Sequence, residues 1–443
     1  MDNGIELLIR LYISNLEIFY NKQGSVRALT DRRSTIGCSE LHEATHTESS
    51  KRGLIKKKLR ADSNISTIIP IVWGHAFEPT TKLITSIILN CNIYDAPASI
   101  RSKNNINSCS PDGIGQILLD LKLFKKLVMN TATAKQLETH RGNYKFDNIV
   151  DFESPHIFYE RFRKLNNGLL TDREKDLINK FYTPTVALFE FKSPYSRDLK
   201  GKINQEYVYQ VLGGLEIINI CDVGVFSECR FVICSKSQFA FDDKYLDFKR
   251  GTPDDSGLFM LKVPFFIGIK LFILNEELLS EMPYDDLVEI ESTMDLCDII
   301  NKFTINRDYN VIDYCFIRND EYSSRRLRDD FVTNISEILG IEIGDIVDRM
   351  TTDELINYLY KNHNRVFAVM HWKMMDIGVA YVNKITGFID EHMDNISDVY
   401  NCINTLKGLN SENIELVLSS LPPSKRNCRV SSIYPNIKSL LAE

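Results

Sequence analysis

No CxxC pair occurs in the 443-residue sequence, although ten cysteines stand at 38, 91, 109, 221, 229, 234, 297, 315, 402 and 428. Their irregular spacing excludes a zinc ribbon and a thioredoxin-like dithiol, and free thiols in a reducing compartment are the expectation. No uninterrupted apolar run approaches the ~20 residues that a membrane span needs. A basic start followed by a short apolar core is also missing. The chain opens on Asp2 and an amphipathic pattern (Ile5, Leu8, Ile9, Tyr12, Leu16, Phe19), so no secretory leader is expected. Internal repeats and low-complexity segments are absent. These absences together predict a soluble, intracellular protein with no membrane partner.

An overall positive charge is lacking too: the formal net charge is −7, which by itself argues against a nucleic-acid partner. The average hides a split. Residues 1–274 carry 37 Lys+Arg against 31 Asp+Glu, a balance of +6, while residues 275–443 carry 16 against 29, a balance of −13. A polyanion would bind the front half.

Hydrophobic periodicity predicts helices over 5–21, 71–91 and 203–219, a short helix starting near Ser39, and strands over 185–192, 222–235 and 259–274. Residues 92–109 read as irregular, and SPDGIG at 110–115 as a turn or strand edge. Residues from about 116 to 184 read as a helical insert. Beyond 276 the pattern is helical and acidic, with 366–383 as a segment returning to the core. The chain thus divides into a core over 1–275 and a mostly helical region over 276–443. The order helix, loop with Asp, strand with Glu-x-Lys, helix, strand predicts an α/β fold.

What is present in the strand TVALFEFK (185–192) is anomalous. Glu190 and Lys192 are two apart and share one face, while Val186, Ala187, Leu188, Phe189 and Phe191 are apolar. Burying charge costs several kcal/mol unless it is paired or metal-bound. A structural salt bridge accounts for the pair alone. With Asp112 of Ser110-Pro111-Asp112-Gly113, however, two carboxylates and a lysine make a set that can hold Mg²⁺ and steer a water at a phosphate. A plain surface turn is the simpler account of SPDG by itself.

These residues resemble the PD-(D/E)xK nucleases, and within them the lambda exonuclease or YqaJ-type viral recombinase group, related to alkaline nucleases. Arg32-Arg33-Ser34-Thr35-Ile36-Gly37-Cys38-Ser39-Glu40-Leu41, Trp73-Gly74-His75-Ala76-Phe77-Glu78-Pro79, Tyr207-Val208-Tyr209-Gln210 and Arg365 to Tyr381 resemble further segments of that group, in order. The resemblance implies a restriction-endonuclease-like core, a central mixed sheet flanked by helices, with a helical insert and a helical C-terminal region. It implies Glu78, Asp112, Glu190 and the Phe191 carbonyl as ligands of Mg²⁺ or Mn²⁺, two ions in all, with Lys192 serving the water and Gln210 positioning the site. It implies Arg32 (or Arg33), Ser39 and Ser110 around a DNA 5′-phosphate. The expected activity is a 5′→3′ exonuclease on double-stranded DNA ends in viral recombination, replication or repair. Endonuclease or RNase action belongs to the same fold. Expected partners are DNA ends, two further copies in a trimer, and a single-strand annealing or replication protein. If viral, the protein works in the host cytoplasm or nucleus. One departure stands out: 77 residues separate Asp112 from Glu190, so an acid in the insert, such as Asp151, is a rival to Asp112.

Six Lys/Arg lie within positions 51–60, among them Lys56, Lys57 and Lys58, a candidate phosphate-binding patch or a solvated loop. Tyr195 and Arg197 follow the catalytic-type strand and are candidates for stacking on or contacting a strand end. His42-Glu43-Ala44-Thr45-His46 is a literal HExxH, which on a buried helix would indicate a zinc metalloprotease. Its flanks are polar and no third ligand follows. A non-catalytic DNA-binding scaffold is the remaining alternative, which an intact Asp/Glu/Lys set argues against.

Overall fold

In the computed structural model, the described residues are 3–23, 25–59, 68–89, 91–120, 182–199, 203–239, 266–277, 287–302, 309–317, 321–341, 350–363, 365–421 and 433–441. The helical insert expected at 116–184 therefore lies, over 121–181, outside them, as do Arg60 and Asp151.

The described fold is mixed α/β. Its centre is a mixed sheet in the order β10 (Tyr309–Ile317), β8 (Phe266–Leu274), β11 (Val366–Asn383), β7 (Val223–Cys234), β6 (Tyr182–Lys192), β5 (Gly113–Asp120), β2 (Ile93–Tyr94), with β9 (Val288–Ile290) paired to β11. β6 and β7 run parallel, and the other ladders of that path are antiparallel. A second small sheet holds β1 (Ile36–Gly37), β4 (Asn107–Cys109) and β3 (Ile100–Arg101). Central strands with both faces covered read as near-continuous apolar runs, and all nine residues of β8 are buried.

Helices cover both faces. On one, α6 (Gln205–Ile217) and α11 (Met393–Leu406) join Val186, Leu188, Phe226, Ala380 and Val382 in one core. On the other, α5 (Ile69–Leu89) brings Trp73, Phe77 and Ile84 against Ala187, Phe189, Phe191 and Val225. A third cluster packs α8 (Glu321–Leu339) and α9 (Thr352–Asn362) on β8 and β10.

The expected bounds of the insert need correction. Residues 116–120 and 182–184 belong to strands rather than to a helical insert: β5 and β6 pair directly, Gly113 opposite Phe189 and Asp120 opposite Tyr182. The segment 366–383, expected to return to the core, does so as the 18-residue β11 between β8 and β7, and the otherwise mostly helical 276–443 also contributes β9 and β10, which the sequence pattern did not separate from helix. β10 (YNVIDYCFI) combines aromatic and β-branched residues, and its length of nine fits either element by apolar content alone.

The rear half also anchors the front by charge. Asp398 of α11 accepts from Lys51 of α4 (Glu48–Leu59) at 3.4 Å and from the backbone N–H groups of Ile433 and Tyr434 at 2.9 and 2.8 Å. Those bonds fix the start of the last helix, Tyr434–Leu440. Among the described residues, no helix is long and apolar enough to cross a membrane.

Candidate active site

β5 and β6 bring together the two carboxylates that the insert separates in sequence. Asp112 immediately precedes β5, and its Oδ2 accepts the backbone N–H of Phe191 at 2.7 Å. That bond locks the loop carboxylate to the strand beside Glu190. Glu190 itself is 2% exposed. Lys192 Nζ donates to Glu190 Oε1 at 2.5 Å and to the Phe191 carbonyl at 2.8 Å. Glu78 of α5 completes the group, its Oε1 3.8 Å from Lys192 Nζ. Glu78 is the tenth residue of its helix, well past the first turn, so a dipole-favoured N-terminal acid is excluded as its explanation.

The electrostatics follow from burial. Desolvation pushes the Glu190 carboxyl up to about 8, the neighbouring Asp112 charge adds to the rise, and Lys192 opposes it. Asp112 and Glu78 are likewise raised, again by burial first, with Lys192 pulling each back. Burial works against the Lys192 charge, but Glu190, Asp112 and Glu78 together raise its pKa above the ordinary lysine value. Lys192 in this arrangement is a fixed cation and a donor rather than a base.

Among the described residues, no three His, Cys, Asp or Glu side chains already converge as a metal cage; the Lys192 ammonium stands among the oxygens. The donor set nevertheless suits a hard divalent cation. It consists of three carboxylates and one backbone carbonyl, all oxygen, and a bound cation would balance the two negative charges by which three ionised acids exceed one lysine.

Sequence reasoning passed over Tyr207 as a site residue. Its ring lies 5.7 Å from Lys192 Nζ, a cation–π contact, and stacks on Phe226. Gln210, one turn on in α6, makes no hydrogen bond to these groups among the described residues.

The candidate phosphate residues have their own logic. β1 and β4 are parallel, with Gly37 opposite Ser108. Ser39 lies in the 3-10 turn Cys38–Glu40 that follows β1, and Ser110 follows β4, two residues before Asp112. Arg32 Nη2 donates to Ser39 Oγ at 3.2 Å, and Ser110 Oγ accepts the Ser99 N–H at 2.8 Å. Arg33 is exposed at the end of α2 (Val26–Arg33) and has internal interactions of its own.

The basic cluster is held in part by internal ion pairs. Lys58 is 5% exposed and pairs with Glu40 at 2.7 Å while donating to the carbonyls of Arg32 and Thr35; it is an internal tie for the 32–40 segment and presents nothing to a ligand. Lys56 pairs with Glu415 and Lys57 with Glu43, at 2.7 and 3.6 Å. The charge split of the sequence is in part an internal complementarity. Tyr195 is exposed and packs edge-on against Trp73. Arg197 forms an ion pair with Glu228 of β7, a buried carboxylate that sequence reasoning also passed over.

HExxH does not assemble a zinc site among the described residues. It occupies the five-residue α3 (Leu41–Thr45) and the turn after it. His42 and His46 stack ring on ring at 4.7 Å, and Glu43 is engaged by Lys57.

No protein family model matches the sequence, and no curated protein matches it. Among solved structures, the crystal structure of an alkaline exonuclease from Laribacter hongkongensis shares 11% identity, covering 46% of this chain and 74% of that one at a TM-score of 0.27. A likeness of that size carries no weight for fold or function.

Proposed function

We propose that the protein is a divalent-metal-dependent nuclease, acting as an exonuclease on the ends of double-stranded DNA. The observation that carries this reading is the cluster of buried Glu190 with the half-buried Asp112 and Glu78 around one lysine. Three acids held together against desolvation are costly unless a cation balances them. A Mg²⁺ or Mn²⁺ ion bound by these carboxylates and the Phe191 carbonyl would polarise a phosphoryl oxygen and acidify a bound water.

The protein's own residues do the rest. Asp112 is oriented by the Phe191 N–H. Lys192, in contact with the Tyr207 ring and hydrogen-bonded to Glu190, offers a positive donor to the attacking water or to the oxygens of the scissile phosphate, where charge develops in the transition state. Arg32 and Ser39, which are hydrogen-bonded to each other, would with Ser110 supply a guanidinium and two hydroxyls, chemistry that fits a terminal 5′-phosphate. The deciding experiment is a time course on end-labelled duplexes bearing 5′-phosphate or 5′-hydroxyl, with Mg²⁺ or chelator. Metal-dependent mononucleotide release that disappears in Glu190→Gln supports the proposal; equal cleavage by that variant rules it out.

A further inference from the structure

The face of β6 that carries Glu190 and Lys192 continues across two more strands as a line of charges. Lys192 stands opposite Glu228 in the parallel β6–β7 register. Two residues on, Arg230 stands opposite Asp376 of β11. A register shift between Met374 and Asp376 marks a bulge that aligns this pair, and bulges re-aim side chains in this way. Glu228 and Asp376 are buried, their side chains 1% and 6% exposed. Each holds an arginine that reaches outward: Arg197 on Glu228, and Arg230 on Asp376 at 3.0 Å, the two being 30% and 29% exposed. Arg230 also meets the exposed Asp198 at 2.9 Å.

Stability alone is a poor account of this line. Apolar residues in place of buried ion pairs are often neutral or stabilising, and the remaining residues of β7 are mostly apolar. What a buried carboxylate does provide is aim. A guanidinium has five N–H donors in a rigid fork; a carboxylate anchor engages part of the fork and leaves donors for a second anion, a place that the exposed Asp198 takes at Arg230 and that a phosphate would share or displace. From this juxtaposition we infer that Arg197 and Arg230 form a pre-oriented track for the nucleic-acid backbone leading away from the carboxylate cluster, with Glu228 and Asp376 as its positioning residues. The inference rests on the nuclease reading of that cluster and adds the path by which the substrate strand lies across β6, β7 and β11.

The test measures binding of a fluorescent 5′-phosphorylated duplex by anisotropy in chelator, over about 50–200 mM KCl. Arg197→Ala and Arg230→Ala should each weaken binding several-fold and lower the slope of log affinity against log salt by about one. Arg197→Lys and Arg230→Lys should restore the slope. Glu228→Gln and Asp376→Asn keep the arginine charge, so they should keep the slope while losing affinity, which a merely structural pair would not do. With Mg²⁺, the alanine variants should raise KM for cleavage with kcat within about twofold, as expected for loss of uniform binding. Wild-type slope and affinity in both alanine variants would overturn the track. If an alanine variant melts at lower temperature, the lysine variants and the two carboxylate variants carry the decision. The two readings fail separately. A protein that binds through the arginines but does not cut loses the nuclease assignment, whereas one that cuts with unchanged salt slopes in the variants loses the track.

Discussion

At Glu190 and Lys192, a carboxyl and an ammonium two residues apart are held at the end of an apolar strand, and each depends on the other. Removing the ammonium in Lys192→Met leaves three acids facing one another. We expect a loss of about 1–3 kcal/mol at pH 7, recovered in part by Mg²⁺, and cleavage reduced by about 10²–10⁴-fold; chemical denaturation with and without the ion measures the first, and single-turnover assays the second. The carboxylates also set a pH dependence. In the fold Glu190 holds its proton up to about 8, whereas its ordinary value is 4.5. Between those values the folded protein binds a proton that the unfolded chain has released, so stability falls as pH rises through that window. Metal-free melting curves from pH 5 to 8 should therefore slope downward for the wild type and less steeply for Glu190→Gln. An equal slope in both would show that Glu190 is not the group held neutral. The anomaly that exposed Glu190 and Lys192 in the sequence was equally present at Glu228 and Arg230, again two charges in an apolar strand. It went unread because their partners, Arg197 and Asp376, lie 31 and 146 residues away, and only the pairing of strands brings them near.

Strand identity was legible where charge or β-branching broke the pattern. The ExK strand, α5 and α6 stood out by such signals. β10 did not, because a nine-residue segment with seven apolar or aromatic residues beside acidic helices fits two periods equally well. The pairing of β5 with β6 was hidden by the 61 residues between their ends, since no local rule tells that a loop-borne Asp and a distant strand are neighbours. Close packing between elements gives a further test. A Cβ added at Gly268 of β8 would meet the Trp372 ring of β11 and the Tyr314 carbonyl of β10 at once. Backbone cannot move aside cheaply, so Gly268→Ala should cost at least about 1–3 kcal/mol. Urea titration would read this as a lower midpoint at unchanged slope.

The molecule as a whole does not divide where its composition does. The acidic rear half begins near residue 275, but β11 lies inside the sheet and Asp398 grips Lys51 of the front half. A polypeptide ending at residue 275 lacks the strand that joins β7 to β8. We expect it to show no cooperative melting transition by circular dichroism, in contrast to the full chain; a sharp transition in the fragment would mean that β7 and β8 find another arrangement.

The late position of β11 also orders events in time. During synthesis β7 and β8 are complete by residue 274, and the strand that separates them starts only at Val366. At ribosomal rates of about 5–20 residues per second, the interval is roughly 5 to 20 seconds. For that time two long apolar strands wait with open edges, the condition in which strands find wrong neighbours. The nascent chain is thus most exposed to aggregation midway through its making, and a holding chaperone would matter most in that window.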